Sequence, residues 1–138
     1  MSKEIQRNYL EINSVADLND TNKAEKRYSI RLLEPTDFQL NKFFYKNVGK
    51  KHHWVDRLVW SEKQWIDYVS DKNVKTYILK DMIDLAGYFE LILHRDKNEI
   101  EIAYLGLLEE YQNKKLGSYL LSSAIKNSFL EKPKRVWV

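Results

Sequence analysis

Gln112-Asn113-Lys114-Lys115-Leu116-Gly117-Ser118 stands where an extended apolar run turns into a helical one. The first turn of a helix leaves backbone N–H groups unpaired at the positive end of its dipole, where a cation is intrinsically unfavourable. Lys114 and Lys115 at that place point to an anion, and the chemistry of such an elbow is phosphate binding. The plain alternative is solvated charge. Gly117 has no Cβ, so a phosphate or a neighbouring strand can approach the backbone closely. Glu101, upstream in the same run, shares alternating positions with Ala103, Leu105 and Leu107. An apolar setting there would raise its pKa and suit it to general-base work; a half-exposed strand end paired with a basic neighbour is the competing reading. Glu90, within Tyr88-Phe89-Glu90-Leu91-Ile92, is a second carboxylate in an apolar run. It either orients a bound amine or faces water. His52 and His53 are adjacent, point apart and have no third ligand nearby, so no metal site is expected. The aromatic residues from Trp54 to Tyr68 read as packing anchors rather than a substrate cage.

The elements that must position these groups follow from periodicity. Glu99-Ile100-Glu101-Ile102 alternates and Ala103 to Leu108 is apolar throughout, as in a strand that enters the interior. Leu116, Leu120, Leu121, Ala124, Ile125 and Phe129 form a helical stripe that Pro133 stops. Earlier, Tyr9 to Ser14 could be a short strand, Asp17 to Lys26 a polar loop, and Arg27 to Leu33 a firmer strand. Pro35-Thr36-Asp37 opens a helix that is expected to end near Gly49. Lys50 to Trp60 reads as a loop or broken helix on the substrate side. Ser61 with Gln64 resembles a capping box for a further helix. Val74 to Lys80, Leu85 to His94 and the run from Glu99 then make three antiparallel strands in series. Arg135 to Val138 is expected to lie parallel to the last of these, because a helix connects them.

With this order in place, Tyr111 to Ser118 resembles the pyrophosphate loop of the GNAT superfamily of N-acetyltransferases. Gln112 matches the loop's first position and Gly117 its last, and Leu105-x-Leu107 matches the strand that lies beside the pantetheine arm. Lys115 stands where the family has its first glycine. Either the backbone needs no glycine-only conformation there, or coenzyme binding is weakened. The resemblance runs from about Tyr28 to Val138, and it implies an α/β (α+β) fold with a mixed, mainly antiparallel sheet flanked by helices. It implies Leu105, Leu107 and Gln112 to Ser118 as the acetyl-CoA site, Glu101 as base, eleven residues before Gln112 as in some members, and Glu90 as an acceptor contact. Family members continue with a further helix and two strands. The expectation is therefore a C-terminally short domain, 26–138, behind a poorly determined segment, 1–25. Its last strand would have an uncovered side that self-association could fill. A non-catalytic acyl-CoA-binding or regulatory module is the alternative, and an interaction domain without a nucleotide ligand is a third reading.

At 138 residues one domain is the default. The formal charge of +3, from 23 basic and 20 acidic side chains, is too balanced to imply nucleic acid. Without cysteine there is no disulfide framework and no thiolate chemistry. Neither a signal peptide nor a membrane span is legible, which gives a cytoplasmic expectation.

Overall fold

The computed structural model describes residues 11–12, 26–112 and 115–138. The elements are β1 (Glu11–Ile12), β2 (Tyr28–Leu32), α1 (Phe38–His52), α2 (Glu62–Ser70), β3 (Val74–Asp81), β4 (Asp84–His94), β5 (Glu99–Leu107), α3 (Leu116–Phe129) and β6 (Arg135–Trp137). They build a six-stranded sheet in the order β1-β6-β5-β4-β3-β2. The β2 to β5 pairs are antiparallel and β6 runs parallel to β5, as the helical crossover through α3 requires. This is the mixed, mainly antiparallel α/β sheet expected from the sequence.

Local signals explain the helix starts. The Asp37 carboxylate accepts from the Gln39 amide at 3.0 Å, and Ser61 and Gln64 form a complete capping box. The predicted end of α1 is corrected. Gly49 is helical and the helix runs on to His52, because Gly49 is a packing glycine: a Cβ there would sit 2.9 Å from the Trp54 Cβ. The stop is His53, in the left-handed conformation.

One face of the sheet is covered by α1 and α2, the other by α3, which contacts β4, β5 and β6. On the first face Phe44 stacks on Tyr88 at 4.8 Å and Val48 sits against Gly106, where a Cβ would come within 2.2 Å of its Cγ1. The expected uncovered side of the last strand is also corrected. β1 pairs antiparallel with β6, Glu11 opposite Trp137 and Ile12 opposite Val136, so the chain's own N-terminal strand takes that edge.

Candidate active site

Strand β5 carries the candidate site, and one irregularity sets which side chains meet. Opposite Glu90 and Leu91, β5 places Tyr104 and Ile102, so Ala103 is an extra, bulged residue. A bulge shifts the alternation by one. Glu101 therefore does not share a face with Leu105 and Leu107, as strict alternation predicts. It lies on the face of Ile92, Glu90 and Tyr104, beneath α1 and α2, while Leu105 pairs with Phe89 and Leu107 with Gly87 on the other register.

Glu101 is at the half-buried end of β5, its side chain 26% exposed, and its carboxylate lies 3.0 Å from His94 Nε2. The His94 ring stacks on Trp137 at 5.8 Å, and Trp137 is the β6 partner of Glu101. The sequence reading missed His94. Its signal was present in the hairpin spacing, which places His94 opposite Glu99 and within reach of Glu101.

Glu90 is wholly buried and already hydrogen-bonded. Its Oε1 accepts from Arg57 Nη1 at 2.9 Å and from the Tyr68 hydroxyl at 2.7 Å, and its Oε2 accepts from Asn41 Nδ2 at 2.9 Å. Asn41 also donates to Thr76 Oγ1 at 2.8 Å. Burial by itself would lower the Arg57 pKa, but the charge and hydrogen bond of Glu90 outweigh it and hold the guanidinium protonated. Burial, then the charge of Glu90, pushes the Tyr68 hydroxyl far above the ordinary tyrosine range. No neighbour of Glu90 in the sequence announces Arg57, Asn41 or Tyr68, which come from three separate elements.

Past Leu107 the chain makes a short 3-10 turn, Glu109–Tyr111, tied down where the Tyr111 hydroxyl donates to Asp81 at 3.0 Å. Gln112 then bridges two elements: its Nε2 reaches the Leu107 carbonyl at 3.4 Å, and its Oε1 accepts from Lys51 Nζ of α1 at 2.7 Å. Asn113 and Lys114 lie outside the described residues. Lys115 caps α3 in the left-handed conformation, φ 58° and ψ 23°, without a side-chain capping bond. A lysine in this left-handed conformation, which glycine adopts freely, is strained. Leu116 is buried and anchors the helix, while Gly117 and Ser118 are exposed. A Cβ at Gly117 would meet, within 4 Å, no atom of the described residues beyond its chain neighbours and its own helix backbone. A groove of about 620 Å³ lies between α1, through Phe43, Asn47, Lys50 and Lys51, and the segment after β5, through Leu108, Glu109, Glu110 and Gln112. Among the described residues no cluster of three potential metal ligands occurs, and no helix is long and apolar enough to cross a membrane.

The profile of the acetyltransferase (GNAT) family matches residues 32–138. The chain belongs to that family. Solved structures share this GNAT fold at low identity. A GCN5-related N-acetyltransferase from Kribbella flavida superposes with a TM-score of 0.66 at 11% identity, over 94% of this chain and 46% of that one. An aminoglycoside acetyltransferase from an uncultured soil metagenomic sample gives 0.63 at 9% identity, over 78% and 74%. Spermidine N-acetyltransferase from Vibrio cholerae, solved with CoA and spermine, gives 0.61 at 20% identity, over 77% and 66%. The GNAT chain described here thus spans less than half of the Kribbella protein and about two thirds of the Vibrio one. No curated protein matches it in sequence.

Proposed function

We propose that the protein is an N-acetyltransferase that moves an acetyl group from acetyl-CoA to an amine. The observation that carries this is the open position at Gly117, in the first turn of α3 in a GNAT domain, where a Cβ would meet none of the described residues outside its chain neighbours and its own helix backbone; the first turn of a helix also leaves backbone N–H groups unpaired. In this reading Gln112 to Ser118 hold the coenzyme's diphosphate and the backbone beside Leu105 and Leu107 takes the pantetheine arm. The amine nitrogen attacks the thioester carbonyl carbon, a C–N bond forms and the C–S bond breaks, and the thiolate departs and is protonated. Glu101 accepts the amine proton, directly or through a water, with His94 beside it to pass the proton on. A non-catalytic coenzyme-binding module is the second reading, favoured by the strained Lys115.

Gly117→Val separates coenzyme binding from folding. A Cβ at this position meets none of the described residues outside its chain neighbours and its own helix backbone, so thermal stability is expected to change little while calorimetric binding of coenzyme A is lost. Unchanged affinity in this variant would place the coenzyme elsewhere. Glu101→Gln should lower kcat at least about a hundredfold, with coenzyme affinity within a few-fold. Equal turnover would remove Glu101 as the base. Wild type that binds coenzyme A but releases no free thiol with any of a panel of amines would leave the binding-module reading.

A further inference from the structure

The segment joining α1 to α2 is exposed apart from the half-buried Trp54 and Trp60 and the buried Arg57. Val55, Leu58 and Val59 are 62%, 51% and 86% exposed, whereas Arg57 between them is 6% exposed. Its guanidinium passes inward into a box of aromatic rings, with the central carbon 4.1 Å from the Tyr68 ring centroid, 4.2 Å from Tyr104 and 4.8 Å from Trp60. Tyr45 and Trp65 close the box at 5.8 Å each. All five lie within the range over which a ring face attracts a cation. The floor is the Glu90 carboxylate, contacted end-on through Nη1. Rings around a buried carboxylate are the chemistry by which proteins recognise alkylammonium and guanidinium ligands.

Two further observations separate this box from an ordinary structural ion pair. The polar groups around Glu90 exceed what Arg57 uses: Asn41 Oδ1 and the Tyr88 hydroxyl are fully buried without a hydrogen-bond partner among the described residues. Idle buried groups of this kind are costly, because their hydration is lost with no bond to replace it. The box also adjoins the bulge, because Glu90 and Tyr104 are the pair next to Ala103, and Tyr104 directly precedes Leu105, beside which the pantetheine arm is proposed to lie.

From this we infer that the box is the recognition site for a cationic acceptor head group, a guanidinium or a primary ammonium, and that the chain's own Arg57 occupies it in the resting state. The inference takes the word acceptor from the acetyl-transfer reading; the cation site itself stands independently of coenzyme binding. A buried Glu90 without a cation would be costly, so the site must be filled at all times. Arg57 fills it when no ligand is bound, and an incoming cation replaces it charge for charge as the exposed turn swings outward. The acceptor would then carry two basic nitrogens, one held by Glu90 and one, neutral, for attack on the thioester.

The test uses 4-aminobutylguanidine as probe, without coenzyme, against sodium chloride at equal ionic strength. In the wild type, saturating probe should accelerate amide exchange of residues 55 to 60 several-fold while β4 and β5 are unaffected. In Arg57→Ala, with the internal competitor removed, the fluorescence of Trp60 and Trp65 should report binding at least about tenfold tighter than in wild type. Adding Glu90→Gln should abolish it. Should Arg57→Ala be unfolded alone, the probe is expected to restore its near-ultraviolet circular dichroism, and Arg57→Lys serves as the folded variant for the same titration. No change in turn exchange of the wild type at saturating probe means a structural ion pair and overturns the inference, as does binding that survives Glu90→Gln. Failure of coenzyme A to bind would sink the acetyl-transfer reading while leaving these results unaffected.

Discussion

At the residue scale, Lys115 is where sequence and backbone disagree. A side chain in the left-handed region is strained by roughly 1–2 kcal/mol, and glycine would relieve that strain while raising the entropy of the unfolded chain. Lys115→Gly is accordingly expected to leave stability unchanged or raise it by up to about 1 kcal/mol, whereas the same change inside a helix costs about 1 kcal/mol. Chemical denaturation measures the difference. Coenzyme A affinity should hold or improve, since the preceding turn and helix N-terminus persist; a large loss would mean that this ammonium group itself holds a phosphate. Glu101 teaches a related point, because the residue that governs its surroundings is Ala103, whose extra place in β5 moves the carboxylate away from Leu105 and Leu107.

At the scale of elements, α1 decides the site's shape. Its inward residues reach Glu90 through Asn41, Tyr88 through Phe44 and Gly106 through Val48, and its last turn reaches Gln112 through Lys51. The helix therefore spans from the buried ion pair to the proposed phosphate elbow. Its seating on β5 depends on a missing Cβ, since a methyl group on Gly106 would overlap the stiff Val48 side chain. Gly106→Ala should destabilise by about 1–3 kcal/mol through overpacking, and Val48→Ala added to it should recover part of that loss. Fully additive losses in the double-mutant cycle would show that the strain is not at this contact.

At the scale of the whole molecule, polar groups and tyrosines buried around Glu90 tie stability to pH. Burial first, and the charge of Glu90 next, raise the Tyr68 and Tyr88 pKa values above the ordinary value of 10. A raised folded-state value means that the stabilisation is complete below the unfolded value and is lost as pH rises beyond it. Stability should therefore fall above about pH 10, and the phenolate absorbance of these two tyrosines should appear only together with loss of near-ultraviolet circular dichroism. Full phenolate amplitude in a chain with intact circular dichroism would contradict this. The neighbouring β1 strand adds another whole-chain link, since it joins the start of the sequence to β6 and closes the edge that the order of elements alone leaves open.

What the sequence determined by itself was local: strand and helix periods, the capping box at Ser61, the start of α3 at Leu116, and the parallel return of β6. Each is written within a few consecutive turns or alternations, where side-chain spacing maps directly onto backbone geometry. What only the tertiary structure decided was how distant groups meet. A bulge changes facing by one residue without altering composition, so Glu101 could not be placed from alternation. Nor does any sequence period bring Asn41, Arg57 and Tyr68 to Glu90. That meeting arises because a buried carboxylate must find its donors wherever the packed helices and turn supply them.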